Sequence, residues 1–277
     1  MKKKSPPELH DDLRPEYGQD FFKAMKPNRL AGVTFAPLID LDKDVAARET
    51  TIVLLPGLDR TGTLFRPLIE HLPSRLHPVV VAYPGKEKIG YGDLLPRVMQ
   101  SLPTGEPFVI LGESFSGPLA LMAAASRPPG LLGVILCATF VRNPAWIRGK
   151  WLRHLVPDIA FRLYPSLSAA KALMGGYSSP VLRESFRNAI AAVAPEVLAF
   201  RVREVMQVDV SDELRRCPVP ILYLRGSRDL VVPKHNAREI AALSAGVSEV
   251  TITAPHMLLQ TRPREAATAI GRFIDDI

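Results

Sequence analysis

Cysteine is scarce in this chain, with only Cys137 and Cys217 among 277 residues. Both sit in apolar settings, Cys137 in LLGVILC and Cys217 in RRCPVP, so they read as buried structural thiols and not as a disulfide framework. The cytoplasm is the natural compartment for such a chain. Histidine is also sparse: six are scattered with no HxH or HxxxH pair, which argues against a metal-dependent hydrolase. No apolar run approaches the roughly 18 residues of a membrane span. The opening MKKKSPPELHDDLRPEYGQD has three lysines but no apolar stretch behind them, so it reads as a loosely attached arm and not a signal peptide. Acidic residues are outnumbered, 28 against 35 Lys and Arg, for a formal charge of +7. No recognisable DNA- or RNA-binding motif accompanies that charge, so nucleic acid is not expected as a partner.

What is present is an alternating pattern. Short Val, Ile and Leu runs read as buried parallel strands at Gly32–Phe35, Thr51–Leu55, Val79–Ala82, Phe108–Leu111, Leu132–Leu136, Ile221–Leu224 and Glu249–Thr253. Helical stretches separate them at Leu64–Leu72, Tyr91–Leu102, Pro118–Ser126, Lys234–Leu243 and Pro263–Ile277. The fold class is therefore α/β, with βαβ units building a mostly parallel sheet flanked by helices. One interval breaks the rhythm. Between Leu136 and Ile221 the pattern is helical and punctuated by proline and glycine. The expected organisation is an arm over residues 1–30, a core over 31–140 and 207–277, and a helical insertion over 141–206. Ten Lys or Arg against four acids between Val141 and Met206 concentrate six of the seven net positive charges in that insertion.

The chemistry centres on FVILGESFSGPLALMAAAS, residues 108–126. A strand runs into Gly112-Glu113-Ser114-Phe115-Ser116-Gly117 and a helix follows at once, the setting of a nucleophile elbow. Such a turn holds the serine in strained backbone angles and needs small residues two places before and after it. Gly112 meets the first need, and Ser116 replaces the second glycine. Pro118 falls in the first helical turn, where a missing N–H costs little.

A serine nucleophile needs a base and an acid on loops after later strands, in the order Ser, Asp or Glu, His. Asp229 follows the strand in VPILYLRGSRDLVVP, and His256 follows the next strand in VTITAPHMLLQTRP, 27 residues on. One βαβ step separates them, so both loops emerge on the edge that carries Ser114. Asp209 is a rival acid, but it precedes a helix instead of following a strand. Asp59 and Glu113 adjoin the site and read as loop or locally bonded carboxylates. For an oxyanion, the backbone N–H groups of Leu58, in LPGLDRTG, and Phe115 are the expected donors. In the insertion, side chains such as Trp146, Trp151, Leu173, Tyr177 and Phe186 either line an acyl pocket or pack the helices down.

LPGLDRTG at 55–62, GESFSGP at 112–118 and PHMLLQ at 255–260 resemble segments of the α/β-hydrolase superfamily, in particular capped bacterial serine esterases and thioesterases. The resemblance runs from about Thr51 to Ile277. It implies a helical cap inserted after the sixth strand, and ester or thioester cleavage through an acyl-serine without cofactor or metal. An acyltransferase would use the same triad. Capped relatives that cleave methyl esters on a carrier protein make an acidic acyl carrier protein a possible partner for the basic insertion. Arg60 stands where glycine is common and is expected to narrow the site or meet an acidic group. A non-catalytic binding module of this fold would lack a triad member, whereas all three positions are filled. Aspartate at the elbow, as dehalogenases and epoxide hydrolases need, is absent, and PGLDRTG does not fit a dinucleotide-binding G-x-G-x-x-G.

Overall fold

A computed structural model describes residues 48–144 and 167–277 of the chain. Six strands form one sheet: β1 (Thr50–Leu55), β2 (Leu76–Val80), β3 (Phe108–Glu113), β4 (Leu131–Cys137), β5 (Ile221–Gly226) and β6 (Val247–Ile252). Their order is β2-β1-β3-β4-β5-β6, and every pairing is parallel. The expected strand at Gly32–Phe35 lies outside the described residues.

Continuous apolar runs make the central strands because both of their faces are covered. Val53, Leu55, Ile110 and Leu136 face one core cluster, which includes Leu94, Val98, Leu119, Ala120 and Ile240. Ile52, Leu54, Leu111 and Ile135 face the other, which includes Leu68, Ala266, Ile270 and Phe273. Helices supplying the first layer are α2 (Tyr91–Gln100), α3 (Gly117–Ala125) and α8 (His235–Leu243). The second receives α1 (Arg66–Ile69) and α10 (Pro263–Asp275), joined by the short α9 (Leu258–Thr261). β2 is one of the two edge strands of the described sheet. It tolerates Pro78 there, and its residues 77–80 are exposed.

Between β4 and β5 the chain forms α4 (Leu167–Met174), α5 (Pro180–Ala191), α6 (Pro195–Val205) and α7 (Ser211–Arg215). Counted along the described sheet, this excursion follows the fourth strand. α5 begins as proline at a first helical position predicts, with the Ser179 hydroxyl accepting from the Leu182 N–H. A third cluster, with Met174, Phe186, Ile190 and Leu198, packs these helices against Leu64 and Met257 of the core. Both cysteines are free; Cys137 is buried, and Cys217 is only half-buried.

After β1 the chain turns outward to β2 and then crosses back to β3 on the far side of β1. The strand order therefore reverses between β1 and β3, and their loops diverge at the carboxyl ends to leave a crevice. Leu55 pairs with Gly112, so the loop carrying Leu58 and the turn carrying Ser114 leave the sheet side by side.

Candidate active site

Ser114 is the first residue after β3 and holds φ +49°, a left-handed backbone unusual for any side-chain-bearing residue. Its neighbours must be small. A Cβ on Gly112 would stand 2.5 Å from the Ser116 carbonyl oxygen, and one on Gly117 would stand 2.1 Å from Thr139 Oγ1. Thr139 Oγ1 in turn donates to the Ser114 carbonyl at 2.5 Å. Ser116, the departure from glycine, is wholly buried. Its hydroxyl donates to the Pro56 carbonyl at 2.5 Å, which leaves its oxygen to accept from Tyr83 Oη at 2.7 Å. The substitution thus joins the elbow to the loop after β1.

His256 Nε2 lies 2.9 Å from Ser114 Oγ, and its Nδ1 lies 2.8 Å from Asp229 Oδ2. An acceptor-only carboxylate calls for the proton on Nδ1 and leaves Nε2 free to accept from the serine. Asp229 is itself fixed, because Oδ1 accepts the N–H groups of Val231 at 2.7 Å and Val232 at 2.9 Å. The acid and base meet because the loops after β5 and β6 touch. A Cβ on Gly226 would stand 2.5 Å from both the Ala254 and Pro255 carbonyl oxygens, and the Arg228 N–H donates to Ala254 at 2.9 Å. His256 and Asp229 side chains are only 7% and 1% exposed. The three residues singled out in the sequence therefore stand as one hydrogen-bonded chain.

Leu58 lines the cavity over Ser114, and among the described residues no hydrogen bond takes up its N–H. Gly57 brings this loop within reach, since its Cβ position is 3.8 Å from Ser114 Cβ. Phe115 is buried, its ring stacked on Tyr91 with centroids 4.7 Å apart. The cavity has a volume of about 90 Å³. Leu64, Leu173, Phe186 and Ile190 form its apolar wall. Asp59, Glu113 and Gln260 give it a polar corner.

That corner is more buried than the sequence suggests. Asp59 and Glu113, read as loop or locally bonded carboxylates, are 5% and 7% exposed. Burial raises the Glu113 pKa to about 7, and the neighbouring Asp59 charge adds to the rise. Gln260 Nε2 donates to Glu113 Oε1 at 2.9 Å and partly offsets it. Burial also raises Asp59, against the hydroxyl of Thr61. Asp209 serves elsewhere: where α7 begins, its Oδ1 accepts the Ser211 N–H at 3.0 Å and the Ser211 hydroxyl at 2.6 Å.

Among the described residues Arg60 meets no acid. Its Nη1 donates to the Tyr83 carbonyl at 2.8 Å and its Nη2 to the Ala192 carbonyl at 3.0 Å. A second arginine, not distinguished by any sequence signal, is fully buried beside it. Arg201 reaches from α6 to donate to the Pro84 carbonyl at 2.8 Å and, more weakly, to the Leu58 carbonyl at 3.4 Å. Burial brings its pKa down to about 10, which leaves it charged at neutral pH. Leu173 and Phe186 line the cavity. Tyr177 is instead flanked by Arg262 and Arg228, at 4.4 and 5.8 Å from the ring centre. Trp146 and Trp151 lie outside the described residues. No group of His, Cys, Asp and Glu able to hold a metal stands together among the described residues. Nor is any of their helices long and apolar enough to cross a membrane.

A serine at a strained strand-to-helix turn, a histidine and an acid on successive strand ends, and a loop at the switch point define a class. The chain matches the alpha/beta hydrolase family over residues 52–269 and belongs to it. Among curated proteins it is similar to pimeloyl-(acyl-carrier protein) methyl ester esterases. That of Xanthomonas oryzae pv. oryzae is 26% identical over 252 residues, 84% of this chain and 98% of the relative. That of Stenotrophomonas maltophilia is 27% identical over 247 residues, 83% and 95% of the two chains. Solved structures repeat the fold. A bromoperoxidase from Bacillus anthracis superposes with TM-score 0.71 at 14% identity, covering 83% of this chain and 92% of that one. An esterase from Exiguobacterium antarcticum does so with TM-score 0.70 at 17% identity, covering 82% and 92%.

Proposed function

We propose that the chain is a serine hydrolase that cleaves carboxylic esters or thioesters through an acyl-serine. The observation that carries the reading is the unbroken relay from Ser114 Oγ through His256 to Asp229. His256 takes the serine proton as Oγ attacks the carbonyl carbon, and buried Asp229 stabilises the imidazolium that forms. The carbonyl oxygen becomes an oxyanion, held by the N–H groups of Leu58 and Phe115. Collapse expels the alcohol or thiol, which His256 protonates. Water then attacks the acyl carbon, giving its proton to His256, and the same oxyanion site serves again before Ser114 leaves.

The substrate reading is finer. An ester displayed on an acidic acyl carrier protein suits the surplus of basic residues between Val141 and Met206. It is also the substrate class in the names of relatives that match this chain along nearly their whole length. Turnover of p-nitrophenyl esters from acetate to dodecanoate tests the reaction, with Ser114→Ala as control. The wild type is expected to show saturable hydrolysis and the variant to lose at least about 10⁴-fold in kcat. Equal activity in the two proteins would remove Ser114 from the mechanism.

A further inference from the structure

A buried positive charge without a counter-ion is costly, and a residue kept only to fill space would be apolar. Arg201 is 0% exposed, and among the described residues no carboxylate bonds to it. Its Nε has no partner. What it touches is specific. Nη1 donates to the Leu58 carbonyl, Nη2 to the Pro84 carbonyl, and Cζ lies 5.8 Å from the centre of the Phe115 ring and 5.7 Å from that of Tyr83. Leu58 and Phe115 are the two residues whose N–H groups face the oxyanion in the proposed reaction, and one guanidinium contacts both.

We propose that Arg201 is a positioning residue of the oxyanion hole, through which helix α6 is coupled to the hole. The inference rests on the serine-hydrolase reading, since an oxyanion hole has meaning only there. Holding the Leu58 carbonyl limits rotation of the backbone at Leu58, and the cation against the Phe115 ring fixes the second donor residue. Because Arg201 is buried, its charge also favours negative charge developing nearby. The coupling is reinforced by the neighbouring Arg60. Arg60, two residues after Leu58, bonds the Tyr83 and Ala192 carbonyls, and the Ala194 N–H donates to the Gly85 carbonyl at 3.0 Å. The oxyanion loop, residues 83–85 and α6 with the chain entering it are thus joined by the two Arg201 bonds and these three. A displacement of α6 is transmitted to the donors and not only to the cavity wall.

Arg201→Met keeps length and loses the donors and charge, whereas Arg201→Lys keeps charge and one donor group. Both are to be assayed for p-nitrophenyl butyrate hydrolysis and for inhibition by an alkyl trifluoromethyl ketone. The tetrahedral adduct of that ketone places an oxyanion in the hole. The expected result for Arg201→Met is a loss of about 10- to 100-fold in kcat, with KM within about twofold and Ki for the ketone raised in parallel. Arg201→Lys should recover part of both. If Arg201→Met does not fold, Arg201→Lys alone decides, by a matched fall in kcat and rise in Ki. Folded variants whose kcat and Ki stay at wild-type values, or whose loss falls on KM alone, overturn the inference. A wild type neither active on the ester nor inhibited by the ketone overturns the serine-hydrolase reading and this inference with it.

Discussion

Around Ser114 small changes carry large consequences, because its φ of +49° is held by contacts that leave no room. Ser116 is informative here, since the commoner glycine at that place would relieve no crowding. Ser116→Gly would leave the buried Tyr83 hydroxyl and the Pro56 carbonyl without their shared partner. The expected cost is about 1–3 kcal/mol in chemical denaturation. Glu113 supplies a pH signature. Its folded pKa of about 7 exceeds the ordinary 4.5, so the fold binds its proton more tightly than the unfolded chain. Its stabilising contribution is full below pH 4.5 and is lost as pH rises toward 7. Glu113→Gln keeps an acceptor for Gln260 and cannot ionise. Its stability relative to wild type should therefore rise by up to about 3 kcal/mol between about pH 5 and about pH 8. A difference independent of pH would show that Glu113 does not titrate in this window. Ser114, Asp229 and His256 were legible because each sits at a strand end that its own local sequence announces. Arg201, the burial of Glu113 and the partners of Arg60 were not, because burial and partners 23 to 147 residues away leave no local mark.

Among the elements, strands were easier to read than their ends. The apolar runs at β1, β3, β4 and β5 lie close to their observed bounds, since strands covered on both faces need uninterrupted apolar residues. β2 begins at Leu76, three residues before the Val79 start read from the sequence, because pairing with β1 and not side-chain pattern sets its register. The helix expected over Leu64–Leu72 divides into a 3₁₀ turn, Thr63–Phe65, and the short α1, where Pro67 enters the first turn. The helices between β4 and β5 were recognised as an insertion but not in detail, since their packing depends on the core beneath. Leu173 at the end of α4 illustrates their part in the cavity, being half-buried against Met257 with its carbonyl accepting the Met257 N–H at 3.0 Å. Large apolar side chains line the cavity over Ser114. Leu173→Ala should shift the preferred p-nitrophenyl ester toward longer chains, read as the ratio of kcat/KM for octanoate and butyrate. An unchanged ratio would place the acyl group away from this wall.

At the scale of the whole molecule, the reversal of strand order between β1 and β3 makes one crevice, and every group of the proposed mechanism reaches it from a strand's carboxyl end. Ser114 comes from β3, Asp229 from β5, His256 from β6 and Leu58 from β1. The nucleophile and its relay thus come from separate parts of the chain, and only the sheet makes them neighbours. In the proposed reaction Ser114 is the residue acylated in turnover. Incubation with an alkyl fluorophosphonate, followed by intact mass and peptide mapping, tests it most directly. One adduct per chain, located on Ser114, is expected, and none in His256→Ala under the same conditions. Labelling of a different residue in the wild type, or equal labelling of Ser114→Ala, would contradict it.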